Sequence, residues 1–126
     1  MDTRRKILTV DAARAVTPAR PLALVAGYFD VLRAEHAREL EAVRRSTSAA
    51  ALMVVVLPLD GELQSLAARA ALVAAMRMVD YVVTGHDSAL DLLVRALAPD
   101  AVVRLEEADR RRTRQLIEHV RQRQTR

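Results

Sequence analysis

The sequence lacks, or has few of, several residue types, and each of these shortages excludes a class of site or protein. It has no cysteine, so disulfide bonds and thiolate metal sites are excluded. Aromatic residues make up only 2%, so the stacking platforms of single-strand nucleic-acid binders are missing. The longest apolar run, Ala49 to Pro58, is about half the length of a membrane span. Because the charged start, Met1 to Lys6, is not followed by an apolar signal region, we expect a cytoplasmic protein with no membrane partner.

The length and composition are those of one globular domain. The chain has 126 residues, of which 52% are hydrophobic. This is enough for a core that needs no disulfide bond or metal ion to stabilise it. We therefore predict a single domain over residues 1–126, with a lead-in helix and linker at 1–20 and a basic helix at 110–126.

The net charge of +4 arises mainly at the end of the chain, where Arg110 to Arg126 holds seven arginines and one glutamate. Such a segment is either a nucleic-acid footprint or a solvated helix. We favour the helix, because Leu116, Ile117 and Val120 form an apolar stripe at helical spacing.

Short apolar runs alternate with helical patterns along the chain. The predicted strands are Leu22–Ala26, Ala50–Leu57, Asp80–Thr84 and Ala101–Leu105. The predicted helices are Ile7–Ala15, Leu32–Arg45, Glu62–Met78, Ala89–Leu97 and Thr113–Gln124. This alternation predicts an α/β fold: a three-layer Rossmann-like sandwich with a mostly parallel sheet of four to five strands. Ligands of such sheets bind beyond the carboxyl ends of the strands.

The first of these strand ends carries the most informative segment, from Leu24 to His36. A strand enters a turn at Gly27, and a helix opens close to His36. Glycine permits close approach of the backbone to a ligand, and a helix N-terminus attracts anions. Arg33 and His36 are three residues apart and share a helix face, so the segment predicts a phosphate-binding site.

The same segment resembles the cytidylyltransferase-like nucleotidyltransferases, among them heptose-phosphate nucleotidyltransferases and glycerol-3-phosphate cytidylyltransferase. Their signature is G-x-F-D-x-L-H-x-G-H, and the matching residues here are Gly27, Phe29, Asp30, Leu32 and His36. The likeness continues along the chain in four further segments: Lys6-Ile7-Leu8 before a short helix, Arg69-Ala70 through Val79-Asp80-Tyr81-Val82-Val83, Ala98-Pro99-Asp100, and Thr113 to His119.

The resemblance implies a set of site residues, a cofactor and partners. It implies Arg33 and His36 as catalytic residues, with Arg33 in place of the first histidine of the signature. The implied nucleotide-binding residues are Gly27, Tyr28, Phe29, Asp30, Asp60, Arg69 and Thr113. Mg²⁺ with ATP or CTP, a phosphorylated small molecule, and a homodimer or a catalytic partner protein are implied as well.

Departures from the signature bear on catalysis. Glu35 stands where the family has glycine, and no lysine follows Lys6, although the family carries one after its second strand. Loss of one aimed donor costs on the order of 3 kcal/mol of barrier. We therefore favour a catalytically impaired domain that binds a ligand or acts through assembly. The alternative is an active enzyme that transfers a nucleotidyl group from CTP or ATP to a sugar phosphate or alcohol phosphate.

Several residues allow two interpretations. His36 contacts a phosphate or is a helix-start histidine with no ligand. Asp30 orients the turn, approaches a metal, or caps the following helix. Arg69 serves the nucleotide or is a solvated helix arginine, and Phe29 is expected in the core. His86 and Asp87 touch a base or form a plain turn.

No metal site is expected from the histidines, because the three in the chain are too scattered along it.

Overall fold

The computed structural model describes residues 2–30 and 34–106 of the chain. The strands are β1 (Ile7–Leu8), β2 (Leu22–Gly27), β3 (Ala51–Val56), β4 (Tyr81–Thr84) and β5 (Ala101–Arg104). The helices are α1 (Val10–Arg14), α2 (Ala34–Ser46), α3 (Leu66–Ala74) and α4 (Asp87–Leu97), and a 3₁₀ turn spans Thr3–Lys6.

The five strands form one parallel sheet in the order β1-β4-β3-β2-β5. The chain moves outward from β2 through β3 to β4 and then returns to place β5 on the other side of β2. The strand order therefore reverses between β2 and β5, and an open α/β sheet forms its ligand crevice at such a reversal. The predicted fold class, an α/β Rossmann-like sheet with flanking helices, is confirmed.

Alternate residues of the central strands supply two separate cores. β2 and β3 are buried along their whole length, as expected for strands covered on both faces. Leu24 and Met53 point to the face covered by α1 and α4, where Leu93 meets them. Val25 and Val54 point to the opposite face, covered by α2 and α3. The turn after β2 continues this alternation and so sends consecutive side chains to opposite cores.

Two boundaries near the N-terminus differ from the sequence prediction. Ile7 and Leu8 were expected in a helix, but they form β1 and pair with Val82 and Val83 of β4. The helix begins at Val10 and is capped by Thr9, whose hydroxyl accepts the Ala12 N–H. Edge-strand pairing with a distant segment outweighed the local helix pattern.

The helix after β3 is also shorter than predicted. It was expected from Glu62 to Met78 but spans Leu66–Ala74. Ser65 caps its start by accepting the Ala68 N–H. The residues before it form a loop that is bound to the turn after β2. The predicted helix Thr113–Gln124, and with it the basic segment 110–126, lies outside the described residues.

Aspartates fix the amino ends of the two central strands. Asp80, directly before β4, accepts a hydrogen bond from the Leu52 N–H of β3 at 2.8 Å. Asp100, directly before β5, accepts one from the Leu22 N–H of β2 at 2.7 Å. Each carboxylate also has an arginine partner: Arg44 lies 3.2 Å from Asp80, and Arg20 lies 3.1 Å from Asp100. These contacts hold the amino ends of the central strands, whereas ligands of such sheets bind at the carboxyl ends.

We expect Asp100 to make the fold acid-sensitive. The Leu22 N–H, and then Arg20, hold the pKa of its carboxyl below the ordinary value of 3.8. A carboxyl with a lower pKa in the folded state stabilises the fold above 3.8, and this contribution is lost as the pH falls through the folded-state value. Urea unfolding at neutral pH and below 3.8 should show a smaller acid-induced loss of stability for Asp100→Asn than for the wild type.

The matched control for this experiment is Asp91→Asn, which changes an exposed carboxylate on α4. It should keep the acid sensitivity of the wild type. Equal acid sensitivity in Asp100→Asn and the wild type would contradict the role assigned to Asp100.

Candidate functional site

The candidate site begins where β2 ends, next to the reversal of strand order. Gly27 is the last residue of β2, and its carbonyl accepts the Leu57 N–H at 2.9 Å. Tyr28 and Phe29 follow at 7% and 0% exposure. Tyr28 belongs to the core under α4 and Phe29 to the core under α2 and α3. These two side chains therefore anchor the turn to both cores, and Phe29 is in the core as predicted.

The backbone of this turn is unusual at Phe29, which has a φ of 53°. A residue with a Cβ reaches this left-handed region at a cost of roughly 1–3 kcal/mol, and it stays there only where its surroundings hold it. Such strain gathers at ligand-binding positions in proteins.

His36 lies in the first turns of α2 and packs inward. It is 3% exposed, and its ring centroid lies 5.3 Å from that of Phe29 with the planes tilted by 58°. The imidazole is thus part of the packing behind the turn. Glu35, the residue before it, is exposed. Arg33 and Thr113, which were predicted as site residues, lie outside the described residues.

Asp30 closes the turn and binds the loop that follows β3. Asp30 as a whole is 9% exposed. It accepts the Leu63 N–H at 3.0 Å and 2.9 Å on its two oxygens, and the Gln64 N–H at 2.9 Å. Of the interpretations open from the sequence, orientation of the turn agrees best with these contacts, because the carboxylate joins the turn to a second segment.

Arg69 completes this connection from α3. Its side chain is fully buried, so the interpretation as a solvated helix arginine is wrong. Nη1 donates to the Tyr28 carbonyl at 2.7 Å and to the Leu57 carbonyl at 2.8 Å, and Nε donates to the Gln64 carbonyl at 3.2 Å. Nη2 is ion-paired with Glu62. The guanidinium thus lies behind the ends of β2 and β3 and contacts their backbone.

Asp60 occupies a different position from Asp30. It is exposed in the turn after β3, directly before Gly61, whose φ of 72° requires the conformational freedom of glycine. The structure therefore brings Asp30 and Arg69 together with the turn that ends β2, and it leaves Asp60 on the surface of the adjoining loop.

Arg104, the last residue of β5, was not among the predicted site residues. Its Nη2 lies 2.6 Å from the Asp87 carboxylate in the first turn of α4, and its Nε donates to Glu106. The hydrogen bond to Glu106 is the main cause that raises the pKa of Arg104 above its ordinary value. Arg104 pairs in register with Ala26 of β2, so it lies at the reversal of strand order. Only the pairing register, which the sequence does not show, places it there.

The same contact gives Asp87 a partner at the start of α4. It is the first residue of α4 and is bound to Arg104, whereas His86 is exposed directly before the helix. Asp87 is therefore a helix-start ion-pair partner.

Residues 2–30 and 34–106 contain no group of three His, Asp or Glu side chains that lie together so that they could hold a metal ion. None of the helices there combines the length and apolar composition that a bilayer crossing requires.

Comparison with known proteins yields a structural likeness only. No protein-family model matches the chain, and no curated protein matches it. Among solved structures, it is similar to the lipopolysaccharide core biosynthesis protein from Thermoplasma volcanium GSS1. The TM-score is 0.57 at 23% identity, over 64% of this chain and 70% of that chain. The two proteins share a fold. At this identity the likeness extends to the Rossmann-like α/β architecture and not to the chemistry of the site.

Proposed function

We propose that this chain is a cytidylyltransferase-like nucleotidyltransferase domain whose catalysis is impaired, and that it binds a nucleotide or phosphorylated ligand or acts through assembly. The observation that carries the proposal is the position of His36. This histidine matches the second histidine of the family signature, yet it is 3% exposed and packs against Phe29. A side chain that is buried in this way contributes more to the stability of the core than to the stabilisation of charge that develops on a phosphate.

Retained ligand binding is supported by the frame around the turn. The segment from Gly27 to Asp30 lies at the reversal of strand order, where open α/β sheets bind ligands. α2, which follows, is 13 residues long, and the N-terminus of such a helix favours phosphate. The likeness to a lipopolysaccharide core biosynthesis protein agrees with this assignment at the level of fold.

A metal ion would enter this site together with the nucleotide. The carboxylate of Asp30 is committed to backbone N–H groups, and the described residues offer no cluster of metal ligands. Mg²⁺ is commonly held by substrate phosphates with few protein ligands. ATP or CTP would therefore carry it, and the residues of this chain would hold the phosphates.

Assembly is the second route to function, and α3 offers a surface for it. Leu72 on this helix is 39% exposed, although its neighbours Val73 and Ala74 are buried. A second copy of the chain, or a catalytic partner protein, would cover this side chain.

We expect weak binding without turnover. Titration calorimetry with ATP and with CTP, each with Mg²⁺, should give measurable heats. Pyrophosphate release with sugar phosphates and alcohol phosphates as acceptors should stay near the background rate, because each missing donor costs on the order of 3 kcal/mol of barrier. An active transferase is the alternative, and efficient pyrophosphate release with either nucleotide would establish it and overturn the impairment. Absence of heat with both nucleotides would leave assembly as the function.

A further inference from the structure

The turn after β2 and the loop after β3 are joined by contacts that run in both directions. From the turn, the Asp30 carboxylate accepts the N–H groups of Leu63 and Gln64. From the loop side, Arg69 of α3 donates to the carbonyl of Tyr28 and to that of Gln64. Each segment therefore holds the other. We call this set of contacts, made by the side chains of Asp30 and Arg69, the clasp.

The clasp brackets the strained residue of the turn. Phe29, with its φ of 53°, lies between Tyr28, whose carbonyl is bound, and Asp30, whose side chain is bound. Its own side chain is fully buried. Because a left-handed residue persists only where its surroundings hold it, these flanking contacts explain why the turn keeps this shape.

The polar chemistry of the clasp is unusual for a simple packing role. Arg69 is fully buried and Asp30 is 9% exposed. Replacement of a whole buried ion pair by apolar residues of similar size is often neutral or even stabilising, so such pairs are seldom needed for stability alone. Arg69 donates directional hydrogen bonds to three carbonyls, and Asp30 accepts them from two N–H groups. Such bonds fix the course of the backbone more strictly than packing alone does.

We infer that Asp30 and Arg69 are positioning residues, which hold the turn from Gly27 to Asp30 in the shape that receives an anionic ligand. The inference rests on the proposed function, since it assigns these residues to the nucleotide site of that proposal. Neither residue needs to touch the ligand. Both act through the backbone between Tyr28 and Asp30, and the loop before α3 is the support against which that backbone is fixed.

Asp30→Ala tests the clasp by hydrogen exchange. This variant removes the acceptor of the Leu63 and Gln64 N–H groups. Their amides should therefore exchange about tenfold faster, because the loss of one hydrogen bond shifts the equilibrium for local opening by about that factor. Exchange in residues 27–30 should rise as well, because the turn loses its support. Asp30→Asn keeps an acceptor oxygen and should recover most of the protection. Asp91→Ala, at an exposed aspartate on α4, is the control and should change neither segment.

Binding of ATP and CTP with Mg²⁺ to the same folded variants tests the positioning role. We expect affinity to fall about tenfold or more in Asp30→Ala, and to return in Asp30→Asn, because a shifted turn loses at least one phosphate hydrogen bond. A purely structural Asp30 would lower stability and leave the affinity of the folded protein unchanged. That result would overturn the inference, as would unchanged exchange in residues 27–30.

The proposed function and the inference fail in different ways. If the wild type binds neither nucleotide, ligand binding at this site is wrong and the positioning role is wrong with it. If the wild type binds and Asp30→Ala binds equally well, only the positioning role is overturned. Should Asp30→Ala not fold, Glu62→Gln removes the carboxylate partner of Arg69 at a partly exposed position. Leu63 and Gln64 keep their acceptor in this variant, so exchange in residues 27–30 and nucleotide affinity are the two measurements that decide. Unchanged values of both would overturn the positioning role.

Discussion

Replacement of Arg69 by methionine should lower the free energy of unfolding by about 3–5 kcal/mol, the usual cost of breaking a buried, hydrogen-bonded charge network by removing one partner. Methionine fills much of the volume but donates no hydrogen bond. The carbonyls of Tyr28, Leu57 and Gln64 would lose a donor inside the protein. An unpaired buried acceptor costs about 1–3 kcal/mol, so the buried carbonyls of Tyr28 and Leu57, with a smaller share from the partly buried bond to Gln64, account for a loss of this size. Urea unfolding followed by circular dichroism measures it.

The matched control is Arg77→Met, which makes the same substitution at an exposed arginine shortly after α3. It should change stability by less than about 1 kcal/mol, as most surface substitutions do. Similar losses in the two variants would mean that the contacts of Arg69 contribute little beyond those of a surface side chain.

Truncation of Leu93 to alanine should cost about 2–5 kcal/mol, the range for a leucine removed from a packed core. Leu93 is fully buried on α4 and packs in the core that includes Leu24 and Met53. The surrounding strands are fixed in the sheet, so they cannot move far into the space that is left. Thermal or urea unfolding should show the loss as a shifted midpoint with an unchanged dependence on denaturant.

Leu63→Ala is the control for this truncation, because Leu63 is 75% exposed in the loop before α3. Its effect should stay below about 1 kcal/mol, since little apolar surface is taken from the core. If both leucines gave the same loss, α4 would not be fixed to the sheet by Leu93 as the structure indicates.

Much of the fold was predictable because its signals are local. The valine-rich run of β3 and the apolar run of β2 are long enough to be recognised as buried strands, and Pro99 with Asp100 marks the start of β5. Helices between such strands imply parallel pairing with a crossover on each face. These features depend on residues close together in the sequence, so pattern and propensity were sufficient.

The parts that were missed depend on distant contacts. Ile7 and Leu8 form a strand only because β4 offers them an edge to pair with. The role of Arg69 depends on the carbonyls of Tyr28 and Leu57, which are 41 and 12 residues away in the chain. Arg104 enters the site region because β5 returns to lie beside β2. No local pattern contains this information.

The sequence by itself determined the alternation of strands and helices, the buried character of β2 and β3, and the presence of a turn after the first central strand. Those properties follow from side-chain periodicity, which acts over a few residues. Only the tertiary structure decided that His36 packs behind the turn and that Asp30 and Arg69 bind backbone groups of neighbouring segments. A charged side chain takes the partners that folding brings within hydrogen-bond distance, and those partners lie far away in the chain.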